Sequence, residues 1–297
     1  MRGKPRTPRI AGTYVHVYHS QSDVFPGPDS THFRAGRRYP DWVPNDHHVV
    51  KGPDGRWHAF GITHPAPPDG GEVHDGEWLA FHAAAPPGTL KEHLRDGAWE
   101  DLPKVLPPSQ RPGEPREHHA PFIVERDGLF HMIYGPNPMR LATSTDLWTW
   151  TPEGTLFAEA HGLRDPCVLF LEGRYIIIYV TGNALLTRTS TDLRAWSGPP
   201  VEVLRMTRPG DPESPVLLWR DGCFYLLWCI YDGTHGPYDH RTFVFRSDSP
   251  LDFAGREPIA ELPAHAPEVI VDEDGDWYLS SAEWPHRGVG LAPLVWE

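Results

Sequence analysis

Short apolar runs recur along this chain, and five of them share one phrase: an apolar strand, an acidic residue, a glycine, then a second strand rich in aromatics. The copies are Val49 to Trp57 around Asp54-Gly55, Phe122 to Phe130 around Asp127-Gly128, Val168 to Tyr175 around Glu172-Gly173, Val216 to Tyr225 around Asp221-Gly222, and Val269 to Tyr278 around Asp274-Gly275. An acid and a glycine between two apolar runs form a hairpin turn, because glycine accepts the positive φ that tight turns demand. Five hairpins at similar spacing predict an all-β fold, a single five-bladed β-propeller of four-stranded blades over residues 1–297. In such a ring the first strand of every blade starts near one central axis, so the residues just before each hairpin should converge.

The other patterns fit this frame. Helical periodicity is nearly absent, with one short candidate at Thr89 to Arg95. The 34 prolines cluster in connections, where they stiffen the chain and remove donors that would need partners. The interval from Gly55 to Gly128 is the longest between turns and predicts an insertion at about 63–117, between the first two blades. A second repeat, Ser144-Thr145-Asp146-Leu147-Trp148-Thr149-Trp150 and Ser190-Thr191-Asp192-Leu193-Arg194-Ala195-Trp196, reads as a structural turn before the outer strand of a blade, and Ser247 to Phe253 is a looser copy. The alternation in Thr13 to His19 predicts a strand that joins the last blade near Gly288 to Val295 and closes the ring.

Charge and composition narrow the partners. The net charge of −13, from 27 basic and 40 acidic residues, repels phosphate backbones and argues against nucleic acid. No apolar run is long enough to cross a membrane as a helix, and the basic start is not followed by a signal-peptide core, so a cytoplasmic protein without a membrane partner is expected. Cys167, Cys223 and Cys229 have no metal-site spacing and read as buried free thiols.

Counting back seven to ten residues from each turn glycine gives Asp46-His47-His48, His119-Ala120-Pro121, Arg164-Asp165-Pro166, Glu213-Ser214-Pro215 and His265-Ala266-Pro267. Three of these five starts carry a carboxyl group: Asp46, Asp165 and Glu213. Like charges gathered at one axis raise each other's pKa, which a structural protein has little reason to maintain. Glycoside cleavage has a reason, because it needs one protonated and one ionised carboxyl group. Adjacent histidines such as His47-His48 and His118-His119 point to opposite faces of a strand, which disfavours a shared zinc.

These starts resemble the five-bladed propeller glycoside hydrolases of families 32, 43 and 68. Family 32 carries Asn-Asp-Pro, Arg-Asp-Pro and Glu-Cys motifs, and the corresponding residues here are Pro44-Asn45-Asp46-His47, Arg164-Asp165-Pro166 and Glu213-Ser214-Pro215. His47 replaces a proline, Ser214 replaces a cysteine, and His265 is closer to family 43. The resemblance implies that Asp46 is nucleophile or general base, Glu213 is general acid, and Asp165 with Arg164 stabilises the transition state. Asn45, His119 and His265 would contact substrate, and Trp42 and Trp284 would offer ring faces to a sugar. Glu268 reads as structural. The implied substrate is a small oligosaccharide or glycoside with a terminal furanose or pentose unit, fructosyl or arabinofuranosyl. No cofactor is required, and the family pattern allows Ca2+ or Na+ on the axis, with His265 reaching it through water. A saccharide-binding propeller without turnover, or one recruited to lyase or transferase chemistry, are the alternatives.

Overall fold

The structure, a computed structural model, describes residues 6–20, 42–65, 77–207, 210–231 and 239–297. Its strands form five small sheets in a ring. Strands β1 (Pro8–Ile10) and β2 (Val15–Tyr18) open the chain but belong to the last blade. Blade 1 contains β3 (Trp42–Lys51), β4 (Trp57–Pro65), β5 (Leu79–Ala84) and β6 (Glu100–Val105). Blade 2 contains β7 (His119–Arg126), β8 (Leu129–Gly135), β9 (Met139–Ser144) and β10 (Thr151–Phe157). Blade 3 contains β11 (Arg164–Leu171), β12 (Arg174–Thr181), β13 (Ala184–Ser190) and β14 (Ser197–Arg205). Blade 4 contains β15 (Asp211–Arg220), β16 (Cys223–Tyr231), β17 (Arg241–Ser247) and β18 (Ala260–Pro263). Blade 5 contains β19 (Val269–Val271), β20 (Trp277–Ala282) and β21 (Val289–Trp296).

The N-terminal strands close the ring. β2 pairs antiparallel with β21, Val15 opposite Leu291, and β1 pairs further along the same strand, Pro8 opposite Trp296. The backbones of Thr7 and Glu297 exchange two hydrogen bonds. The two ends of the chain therefore share one sheet, which leaves the ring no open seam for another chain to pair with.

The fivefold phrase contains two kinds of turn. In blades 2, 3 and 4 the hairpin loop is two residues, and both have positive φ: Asp127 54° and Gly128 77°, Glu172 50° and Gly173 78°, Asp221 51° and Gly222 84°. This is the type I′ turn, whose twist matches that of the strands it joins. In blades 1 and 5 the ladder closes at Lys51–Trp57 and Val271–Trp277, leaving five residues in each loop. The apolar faces pack between blades, with Phe60 of β4 set edge-on to Trp150 across the gap to blade 2.

The Ser-Thr-Asp-Leu turns act as punctuation. Ser144 Oγ accepts from Leu147 N at 2.8 Å, and Asp146 Oδ1 accepts from the backbone N–H groups of Trp148 and Thr149, each at 2.8 Å. Ser190 and Asp192 do the same in blade 3. The stretch 63–117, expected as an insertion between blades, instead contributes the third and fourth strands of blade 1, and the additional length lies in their connections. The candidate helix at Thr89 to Arg95 is a single 3-10 turn, Lys91–His93. Thr89 and Glu92 cap each other's backbone N–H groups, but Asp96-Gly97 stop the turn from propagating.

Candidate active site

In blades 1 to 4 the first strand slips register as it leaves the axis. The ladder breaks between His119 and Phe122, Arg164 and Cys167, Glu213 and Val216, and Pro44 and His47. In four blades a non-glycine residue with positive φ sits at this break or its counterpart: Ala120 39°, Asp165 53°, Ser214 48° and Ala266 44°. Each is followed by proline, which has no N–H to leave unpaired. Such backbone costs on the order of 1–3 kcal/mol per residue and is held by the surrounding sheet. It re-aims successive side chains toward the axis.

The same breaks correct the count from the turn glycines. Asp46 lies just before the resumed ladder, where Pro121, Pro166 and Pro215 lie in blades 2 to 4, whereas Glu213 is the last paired residue before its break. The five-residue loop of blade 1 had made the two acids look equivalent.

The three acids are nevertheless drawn into one network. Arg164 Nη1 lies 2.5 Å from Asp165 Oδ2 and 3.3 Å from Glu213 Oε1. The Ser214 N–H donates to Asp165 Oδ2 at 3.2 Å, and the Ser214 hydroxyl donates to Asp46 Oδ1. Ser214 thus ties blade 4 to both aspartates, because its positive φ lets N–H and Oγ serve different partners. Asp165 is only 4% exposed, and Glu213 keeps a side chain 21% exposed, so Glu213 is the more accessible carboxyl group of the two.

Electrostatics separate the acids. Burial pushes Glu213 up to about 8; the Arg164 guanidinium opposes the shift, and the charges of Asp46 and Asp165 add to it. Burial, then repulsion by Asp165, raises Asp46 to about 7, while the Ser214 hydroxyl and Arg164 hold it down. Burial alone would lower the Arg164 pKa, but Asp165, Glu213, Asp46 and Asp211 outweigh it and keep the guanidinium charged.

The remaining sequence candidates are placed as follows. His265 is buried, and burial lowers its pKa to about 4, so the ring is neutral at pH 7. Its Nδ1 lies 2.8 Å from the Asp239 carbonyl, and its Nε2 lies 3.0 Å from Asn45 Oδ1. Asn45 and His265 therefore brace blade 1 against blade 5. His119 is paired with Glu77 at 2.9 Å. Trp42 is fully buried with the Lys104 ammonium 4.8 Å from its ring centre, so its ring lies in the protein interior rather than at a sugar-accessible surface. Trp284 is partly exposed, with one face stacked on His240 at 4.5 Å and Tyr14 against its edge. Glu268 pairs with His48 at 3.4 Å. Ser214, Glu77 and Asp239 were not picked as site residues from sequence. Ser214 was visible only as a departure from a motif, and Glu77 and Asp239 lie outside the repeated phrase.

A cavity of about 10 Å3 is lined by residues of all five blades, among them Asp46, His47, Asp165, Ser214 and Glu268. This is room for about one water-sized occupant. Ca2+ takes six to eight oxygen ligands, whereas this wall is largely proline and alanine, and its carboxylates already bond Ser214, Arg164 and His48. The donor set does not suit Ca2+, and no step proposed for the site passes through an axial ion. Ligand atoms of Glu213, Cys229 and His265 lie within 4.8 Å of one another, but burial keeps the Cys229 thiol protonated and His265 Nε2 already lies 3.0 Å from Asn45 Oδ1.

No family model matches the chain, and no curated protein matches it either. Solved structures do. A thermostable family-43 glycoside hydrolase superposes with TM-score 0.63 at 16% identity, covering 87% of this chain and 90% of that chain. The fold is the five-bladed propeller of family-43 glycoside hydrolases. The native arabinanase of Bacillus subtilis gives TM-score 0.62 at 14% identity, over 86% of this chain and 94% of that one. An α-L-arabinofuranosidase from Clostridium thermocellum gives TM-score 0.63 at 16% identity, over 86% and 90% respectively. All three superpose over most of both chains, so the likeness concerns most of the ring.

Proposed function

We propose that the chain is a glycoside hydrolase that removes a terminal furanose or pentose unit from a small oligosaccharide or glycoside. The observation that carries this reading is the grouping of Glu213, Asp46 and Asp165 on one axis through Arg164 and Ser214, with burial raising both Glu213 and Asp46. A carboxyl group that keeps its proton beside one that is ionised is the division of labour that glycoside cleavage requires.

In the proposed step the Glu213 carboxyl proton passes to the glycosidic oxygen as the bond from that oxygen to the anomeric carbon breaks. Asp46 either attacks the anomeric carbon or takes a proton from the water that does. Positive charge grows on the sugar, and Asp165 lies beside it as a fixed negative charge, held by Arg164 and the Ser214 N–H. The named functions of the structural neighbours, arabinan and arabinofuranoside cleavage, favour an arabinofuranosyl over a fructosyl unit.

A panel of aryl arabinofuranosides, xylosides and fructosides tests the reading, with proton NMR of the first anomer released to give the stereochemistry. Asp46→Asn and Glu213→Gln should each reduce turnover by about 10²–10⁴-fold. Unchanged rates in both variants, or no cleavage of any panel member by the wild type, would overturn it.

A further inference from the structure

A cavity of about 520 Å3 lies between the outer strands of blades 1 and 2, walled by Trp148, Trp150, His82 and Gln110, with Thr149 and Thr151 along its edge. It is remote from the acids. β3 carries Asp46 near its start and runs into the turn that holds Asp54, and Trp148 Nε1 donates to Asp54 Oδ2 at 3.1 Å. The strand alone separates the two by roughly 15–20 Å at 3.3 Å per residue.

The turn that supplies the two tryptophans has a copy in blade 3, and the copies differ only where they meet this groove. Blade 3 has Arg194 in place of Trp148, so the turn itself does not need an aromatic there. Trp196, the counterpart of Trp150, donates its indole N–H to the Leu193 carbonyl at 3.2 Å. Trp150 is 7% exposed, and its Nε1–H has no acceptor among the described residues, as also holds for Trp99, Trp228 and Trp296. A buried donor left unmatched is costly, and of these four only Trp150 lines the groove. Trp148, by contrast, is 40% exposed.

We propose that this groove is a second saccharide-binding site, separate from the catalytic axis, and that it takes a neutral pentose or hexose oligosaccharide. Tryptophan rings suit the C–H faces of sugars, and Gln110, Thr149 and Thr151 supply hydrogen bonds to hydroxyl groups. The volume lies within the range of small-molecule sites. The lining residues offer no exposed charge for a phosphate or carboxylate: Lys104 is fully buried with its ammonium over Trp42, and burial keeps His82 neutral beside His58, while the nearby Arg56, 5.4 Å from the Trp148 ring centre, is paired with Glu100. The choice of ligand leans on the carbohydrate reading of the axial site, but the groove does not depend on that site turning over.

The test is a titration of 15N-indole-labelled protein with arabinotriose and xylotriose, in a Glu213→Gln background that prevents cleavage. Trp150→Phe assigns the Trp150 indole resonance and deletes the donor while keeping the packing. One of the two sugars should shift that resonance and leave the Trp196 resonance in place. Calorimetry should find two sites, with Trp148→Ala weakening the remote one about ten-fold or more. Hydrolysis of an aryl glycoside by Trp148→Ala, with Glu213 intact, should match the wild type. The proposal is overturned if neither sugar moves the Trp150 resonance, or if Trp148→Ala and Trp150→Phe both leave the isotherm unchanged. Turnover without remote binding would remove the groove alone. Remote binding without turnover would remove the catalytic reading alone.

Discussion

Glu213 is asked to keep a proton that an ordinary carboxylic acid loses near pH 4.5, and this has two measurable consequences. The first is catalytic: kcat/KM should fall on the acid side as Asp46 gains a proton and on the alkaline side as Glu213 loses one, with Glu213→Gln removing the alkaline limb from whatever activity remains. The second is a cost in stability. Between the unfolded value near 4.5 and the folded value of about 8, the folded state binds the extra proton, so stability declines as pH rises through this range and stays low above it. Thermal unfolding of Glu213→Gln should therefore match wild type near pH 4 and exceed it at pH 9. An unchanged difference across that span would mean that the site does not hold the proton. Ser214 is the residue to probe next. Ser214→Ala removes the hydroxyl that holds the Asp46 pKa down, so the acid limb should move to higher pH while the alkaline limb remains.

At the scale of the element, the site depends on backbone approach. Gly61 of β4 lies opposite His47, and a methyl group on it would come within 2.6 Å of the Asp46 carbonyl and 2.4 Å of the Phe81 ring. Gly61→Ala should push the start of β3 off the axis, cost about 1–3 kcal/mol in a denaturant titration, and reduce kcat more than tenfold. Full activity in this variant would show that the break at Pro44–His47 has slack. The hairpins and the Ser-Thr-Asp-Leu turns were legible in sequence because glycine, aspartate and serine act on their own neighbours, within three or four residues. Loop length was not legible. An Asp-Gly pair serves both the two-residue turn of blade 4 and the five-residue turn of blade 1, and only the ladder tells them apart. For the same reason β5 and β6 were hidden in what read as an insertion: their connections are long, and their pairing partners are fixed by the sheet.

For the whole molecule, the seam in blade 5 holds the ring shut. Deleting residues 1–12 removes β1 and its pairing with β21. The melting temperature should fall by several degrees, whereas Arg9→Ala should change it little, because the Arg9–Glu297 pair is exposed and screened by solvent. Equal effects of the two changes would mean that the ion pair, not the strand, carries the closure.

By itself the sequence determined the number of blades and the closing strand, and it singled out the three acids as candidates, since each rests on local turn chemistry repeated at a regular interval. Tertiary structure decided what those acids are. Burial raises Asp46 and Glu213, and Asp165 is more enclosed than Glu213, because the groups around each acid come from several blades, and no spacing along one strand encodes the field of four others. It also decided the neighbours of Trp42, enclosed under Lys104, and of Trp150, whose N–H stays unmatched while that of Trp196 does not. A repeat in the sequence predicts equal turns, but the groove beside one of them exists only where two blades meet.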